Sequence, residues 1–248
     1  MPHASPSLNR QQWLLGNAVL LISSLVGLII LQQYSNVDLW LANWMFDPAS
    51  GQFPWRDQWL TAKLGHDWMK KLSVVLGVAV AWQLYRQQRL AGWQDLATRQ
   101  WLVVGLSALL VPVLVTQFKH LSVLHCPWDL QQFGGHTPYL RLFDRLPLGV
   151  GAGQCYPAGH ASSGSWLLGF IALWLPLERR QALIRIPLLL LPGLMLGWIQ
   201  QLRGAHFLSH TLATLWLSWL IVSLLCAWLL WPQAKGASSC LAYESGTR

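Results

Sequence analysis

From Trp13 to Gln32 the chain reads WLLGNAVLLISSLVGLIILQ, a run without a single ionisable side chain. A helix needs roughly 20 mostly apolar residues to cross the hydrocarbon core of a bilayer. This run meets that requirement, and five more stretches approach it, at about 72–86, 100–118, 163–177, 186–202 and 211–231. The 72–86 and 163–177 stretches are short and must borrow flanking residues. Leu60, Leu64, Trp68 and Leu72 recur every four residues, a helical stripe that begins the second span early. With Trp55, Trp59, Lys63, Lys70 and Lys71 around that stripe, residues 54–71 read as an interfacial helix leading into the span. The expected fold is all-α: a polytopic membrane protein with six transmembrane helices and an interfacial periplasmic helix, forming one integral-membrane domain over 1–248.

Composition agrees. The chain is 54% hydrophobic and 10% charged, against roughly 25% charged in a soluble domain. Its 17 tryptophans suit membrane–water boundaries. The net charge of +8 does not imply nucleic acid, because Lys and Arg are scattered in short loops and form no basic stripe. No secretory cleavage pattern follows the first run, which is expected to stay as the first span. Cys126, Cys155, Cys226 and Cys240 show no CxxC spacing, which argues against structural zinc.

Loop charge sets the orientation. Arg86, Arg89 and Arg99 follow the second span, Arg179, Arg180 and Arg185 follow the fourth, and Arg10, Lys235 and Arg248 mark the termini. The first loop balances Arg56, Lys63, Lys70 and Lys71 against Asp38, Asp47, Asp57 and Asp67. The positive-inside rule places both termini in the cytoplasm.

Three segments then share the outer side and hold most of the chemically suggestive residues. KHLSVLHCPWD, 119–129, begins at the end of span three, and YPAGHASSG, 156–164, opens span four. In QLRGAHFLSHTLAT, 201–214, Arg203, His206 and His210 lie three, four and seven residues apart, one face of a helix. Ionisable groups at membrane depth are costly and by default mark a function. Lys119 and Arg203 have no acidic neighbour in sequence and suit an anion. Arginine grips phosphate with a planar fork and lysine adds a point charge. Backbone N–H groups near Gly159 and His160, at a helix start, add to an anion site, and Gly159 lets that backbone approach closely. One histidine can attack phosphorus while another protonates the departing oxygen, and the cations neutralise the equatorial oxygens. This scheme needs no metal or other cofactor. No spacing supports His120, His125 or His136, which read as surface or helix-pairing residues.

The three segments resemble the signature of the type 2 phosphatidic acid phosphatase superfamily, which also includes vanadium haloperoxidases. That signature is K-x6-R-P, P-S-G-H and S-R-x5-H-x3-D on a helical bundle. The likeness runs from Lys119 to Thr214, in segments 119–127, 156–160 and 202–214. Lys119, Pro127, Pro157, Gly159, His160 and Arg203 match. Cys126 stands at the arginine, Ala158 at the serine and Leu202 before Arg203. His210 comes one residue late, with Ser209 at the usual spacing, and Thr214 stands where a supporting aspartate is expected.

The resemblance implies that Lys119 and Arg203 bind phosphate beside Ala158, Gly159 and Thr214. His160 is then the general acid and His210 the nucleophile, with Thr214 as its partner one turn on and His206 as the rival nucleophile. Asp129 or Asp144 is the candidate for the absent carboxylate, and Arg141 or Arg145 for the absent arginine. The competing reading of Arg141, Asp144 and Arg145 is a solvated loop that pairs with itself. Cys126 and Cys155 each adjoin a signature segment on the outer side, where a bacterial periplasm favours disulfides, and a bond between them would close a loop over the site. Cys226 is expected to pack as a small apolar residue.

The implied function is a bacterial inner-membrane phosphatase acting at the periplasmic face. It would hydrolyse a lipid phosphomonoester or diphosphate through a phosphohistidine. Lipid A 1-phosphate, undecaprenyl diphosphate and a glycerophospholipid phosphate are the candidate substrates. The alternatives are a lipid phosphotransferase using the same site and a non-catalytic lipid-phosphate binder. The expected partners are the lipid substrate and the bilayer, with no nucleic acid and no obligate protein.

Overall fold

The structure, a computed structural model, describes residues 9–231, without the side chains of 64–67 and 70. Lys235, Cys240 and Arg248 lie outside the described residues, as do the side chains of Leu64, Asp67 and Lys70. The described residues form seven α-helices: α1 (Arg10–Ile29), α2 (Val37–Met45), α3 (Met69–Ala91), α4 (Leu96–Leu121), α5 (Gly159–Ser165), α6 (Arg179–Leu202) and α7 (Leu208–Leu229). Among them there is no strand, only two isolated bridges.

Local chemistry fixes several helix ends. Asn9 accepts from the Gln12 amide at 2.8 Å while the Gln12 side chain accepts from the Asn9 amide at 3.2 Å, a reciprocal cap that starts α1. Asp95 accepts from the Thr98 amide at 3.0 Å and starts α4. A π-helical turn, Ile30–Tyr34, extends α1, and a π-helical stretch, Leu60–Trp68, leads into α3. The expected helix over 54–71 thus begins later, because residues 54–58 form a turn and bend.

Among the described residues, four segments are long and apolar enough to cross a membrane: Arg10–Tyr34, Leu96–Leu121, Arg179–Leu202 and Leu208–Leu229. Outward residues of α1 and α6, including Leu15, Val19, Ile22, Ile184 and Leu188, are well exposed, a surface that suits lipid rather than water. The remaining two expected spans do not reach that standard. α3 is long but carries Lys71, Arg86 and Arg89. α5 has 7 residues and continues as a 3-10 helix of 9, Trp166–Trp174. A 3-10 helix rises about 2.0 Å per residue against about 1.5 Å in an α-helix, so this short segment still covers about 28 Å.

That segment forms the centre of the bundle. Trp166, Leu168, Ile171 and Leu175 pack with Val103, Val104 and Val111 of α4 and with Ile221, Val222 and Leu225 of α7. α5 and α6 cross closely: a Cβ on Gly164 would stand 2.6 Å from the Pro192 carbonyl carbon. Small residues permit such an approach between membrane helices. A second, smaller cluster of Ala42, Met45, Phe53, Leu130, Phe133 and Phe207 covers the end of the bundle where α4 stops and α5 and α7 start.

Candidate active site

Lys119 lies in the last turn of α4, His160 in the first turn of α5 and His210 in the first turn of α7. Two contacts lock the latter two helix starts together. The Ala158 amide donates to the His210 carbonyl at 3.0 Å. The Thr214 hydroxyl donates to the carbonyls of Ala158 and His210, at 2.9 and 3.1 Å. Thr214 therefore clasps two backbones, and its hydroxyl is engaged away from the His210 ring.

Three imidazoles then stand in a row. The rings of His160 and His206 are 5.9 Å apart, and those of His206 and His210 are 5.7 Å apart. Phe207 and Tyr156 wall the His210 ring edge-on, at 5.3 and 5.4 Å. His206 and His210 are buried, and His210 Nδ1 has no hydrogen-bond partner among the described residues. The Lys119 stem lies across Gly159, its Cδ 3.8 Å from the place of a Cβ there, so that cation shares the site with the α5 start.

The corner between α6 and α7 depends on Gly204, whose φ is +69° and whose Cβ would fall 2.3 Å from the Phe53 ring. Only glycine meets both demands. Its carbonyl accepts from the Trp128 amide at 3.0 Å, which ties the loop after α4 to this corner. Arg203, just before it, donates from Nε to the Arg56 carbonyl at 2.8 Å and from a terminal nitrogen to Gln200 Oε1 at 3.1 Å. The Arg56 guanidinium lies over Trp128, 4.8 Å from the ring centroid.

Cys126 and Cys155 are joined as a disulfide with Cα atoms 5.3 Å apart. Cys155 Sγ lies 3.4 Å from His206 Nδ1; a disulfide sulfur has no hydrogen, so in this contact only the ring could donate. The two sulfurs and a His206 nitrogen fall within 4.8 Å of one another, a set that would suit a metal only if the sulfurs were not bonded to each other.

Burial, with the neighbouring His210, His160 and Lys119 adding to it, holds the His206 pKa well below 6.5. The folded ring stays neutral where the unfolded ring takes a proton. Its contribution to stability is therefore complete above pH 6.5 and is lost as pH falls below that, at up to about 1.4 kcal/mol per unit. Thermal melts in detergent should show the unfolding temperature dropping from pH 7 towards 5, with a shallower drop in His206→Gln. Equal slopes in the two proteins would contradict this.

Other expected residues lie elsewhere. Arg141 donates to the carbonyls of Gln33 and Ser35 and to Asn36 Oδ1, at 2.8, 2.9 and 2.8 Å. It fastens the end of α1 and is not the stand-in for the absent arginine. Asp144 accepts from the Arg141 amide at 2.8 Å, the self-pairing loop. Asp129 is engaged through its carbonyl, by the His136 and Thr137 amides. His125 lies 2.9 Å from the Gly151 carbonyl and is structural.

The sequence reading missed Asp38, whose Oδ1 accepts from the Ser209 amide at 3.0 Å. It also missed Gln200, fully buried beneath Arg203. Asp38 was visible only as a loop charge, and Gln200 carried no signal at all.

A family model, the PAP2 superfamily, matches residues 100–234. No curated protein and no solved structure matches the chain. The matched stretch covers more than half the sequence and contains Lys119, His160, Arg203, His206 and His210. The chain belongs to the PAP2 superfamily, and that membership implies phosphatase-type chemistry at a membrane.

Proposed function

We propose that the protein is a periplasm-facing phosphatase of a bacterial inner membrane, acting on a lipid phosphomonoester or diphosphate. The observation that carries the reading is the meeting of Lys119, His160, His206 and His210 from three separate segments at one end of the bundle. In this reading α3 and the α5 segment complete six crossings, both termini are cytoplasmic, and the helix-start end faces outward.

The phosphoryl group rests on the backbone amides at the start of α5, beside Ala158, Gly159 and Thr214, with Lys119 and Arg203 countering its charge. His210 attacks phosphorus; an N–P bond forms and the bond to the lipid oxygen breaks. His160 gives that oxygen a proton as it leaves. Water then attacks phosphorus, His160 takes its proton, and the N–P bond breaks to release phosphate and restore both rings. The burial of the His210 ring supports this role, since it disfavours protonation and only an unprotonated ring is a nucleophile. His206, between the two rings, is the rival nucleophile.

The test is phosphate release by purified protein from lipid A 1-phosphate, undecaprenyl diphosphate and a phosphatidylglycerol phosphate. Release from at least one of these is expected. No release from any, with the lipids still bound, would favour a lipid-phosphate binder. Transfer of phosphate to a second lipid in place of release would identify a phosphotransferase.

A further inference from the structure

Asp38 is 2% exposed and comes from α2, outside the stretch that the family model matches. Its carboxylate accepts the amide of Ser209 at 3.0 Å, across 171 positions of sequence. α7 has no side-chain cap of its own, since Phe207 occupies the capping position. Asp38 is thus the cap of α7, delivered from another helix, and the next residue after its partner is His210.

Tyr139 and Tyr156 show how the carboxylate is surrounded. Each hydroxyl is pushed up to about 12, by burial first and by Asp38 second. Tyr139 packs on Phe207 at 5.7 Å and Tyr156 on His210 at 5.4 Å. Burial raises the Asp38 pKa above its ordinary value and the hydrogen bonds from Ser209 and Leu208 oppose that rise, so the carboxyl group is held at the start of α7, next in sequence to His210.

A serine or asparagine would cap a helix as well as aspartate does, and burying a carboxylate is costly. The carboxylate gains a use if positive charge develops nearby. Phosphorylation of an imidazole nitrogen produces that charge, and a fixed anion favours the transition state over the ground state.

We infer that Asp38 is a positioning residue for the phosphoryl-transfer histidine. It fixes the first turn of α7, and its negative charge supports the His210 ring as the N–P bond forms. It supplies from the N-terminal segment what Thr214 does not supply from α7. This inference rests on the reading of His210 as the nucleophile.

The test is Asp38→Asn, which keeps an oxygen for the Ser209 amide and removes the charge. A nearby opposite charge is worth roughly 1–3 pK units to a cation. On that scale the variant should lose on the order of 10- to 1000-fold in kcat, with KM changed less than about threefold and an unchanged melting temperature. Orthovanadate, which takes the five-coordinate shape of the transferring phosphoryl group, should bind the variant more weakly by a similar factor, and orthophosphate equally well. Wild-type kcat and vanadate affinity in Asp38→Asn would overturn the inference and leave the phosphatase reading intact. So would a loss confined to melting temperature. A wild-type protein that neither turns over lipid nor binds vanadate would overturn both.

Discussion

His210→Ala is expected to reduce phosphate release to background, a loss on the order of 10⁴-fold or more, the scale seen when a covalent nucleophile is removed. The ring is buried, fixed between Tyr156 and Phe207, and its backbone is clasped to Ala158, so alanine removes the group without unfastening the helix starts. His160→Ala should lose about 10²- to 10⁴-fold, the range of a general acid. That second loss depends on the leaving group. A p-nitrophenyl ester, whose leaving oxygen needs no proton, should recover most of the rate in His160→Ala and none in His210→Ala. Release that survives both substitutions on the lipid would remove both assignments.

Opening the Cys126–Cys155 bond is expected to cost about 3–4 kcal/mol, the loop-closure value for residues 29 positions apart. The loss should extend to activity. The bond ties the stretch just after Lys119 to the stretch just before His160, and residues 153–155 run along 122–124 through three backbone hydrogen bonds. Reductant should lower the melting temperature and the rate of the wild-type protein together, and should do neither in Cys126→Ser/Cys155→Ser. Two alkylatable thiols at these positions in the unreduced protein, with no reductant effect, would contradict this. Cys226 lies buried in the main core and is not expected to respond.

Much of the bundle was legible in the sequence because apolar runs and helical periods are local properties. The run from Trp13 to Gln32 and the stretches within α4, α6 and α7 announced membrane helices on length alone. The α5 segment was harder, since nothing in WLLGFIALW distinguishes a stretched 3-10 helix from the end of an ordinary span. It packs tightly on a neighbour, since a Cβ on Gly169 would fall 2.5 Å from the Ser107 hydroxyl of α4. The site divides the same way. Lys119, His160 and Arg203 were legible as cations and imidazole near span ends. The disulfide was suggested by which side its cysteines share. Asp38 was not legible as a site residue, because its partner is far away in sequence and its own neighbours, NVDLW, read as a loop edge. Arg141 misled for the complementary reason. An arginine near a signature segment suggests an anion, whereas its actual partners are two carbonyls and an amide at the end of α1.

A covalent phosphohistidine on α7 can be trapped by rapid quenching of turnover. Protein mixed with its lipid substrate, stopped in alkali within milliseconds and digested, should yield an acid-labile phosphate on the peptide containing His206 and His210, and fragmentation should place it on His210. Phosphate on His206 would reverse the order of the two histidines. Turnover at full rate with no phosphorylated peptide would contradict the covalent mechanism itself.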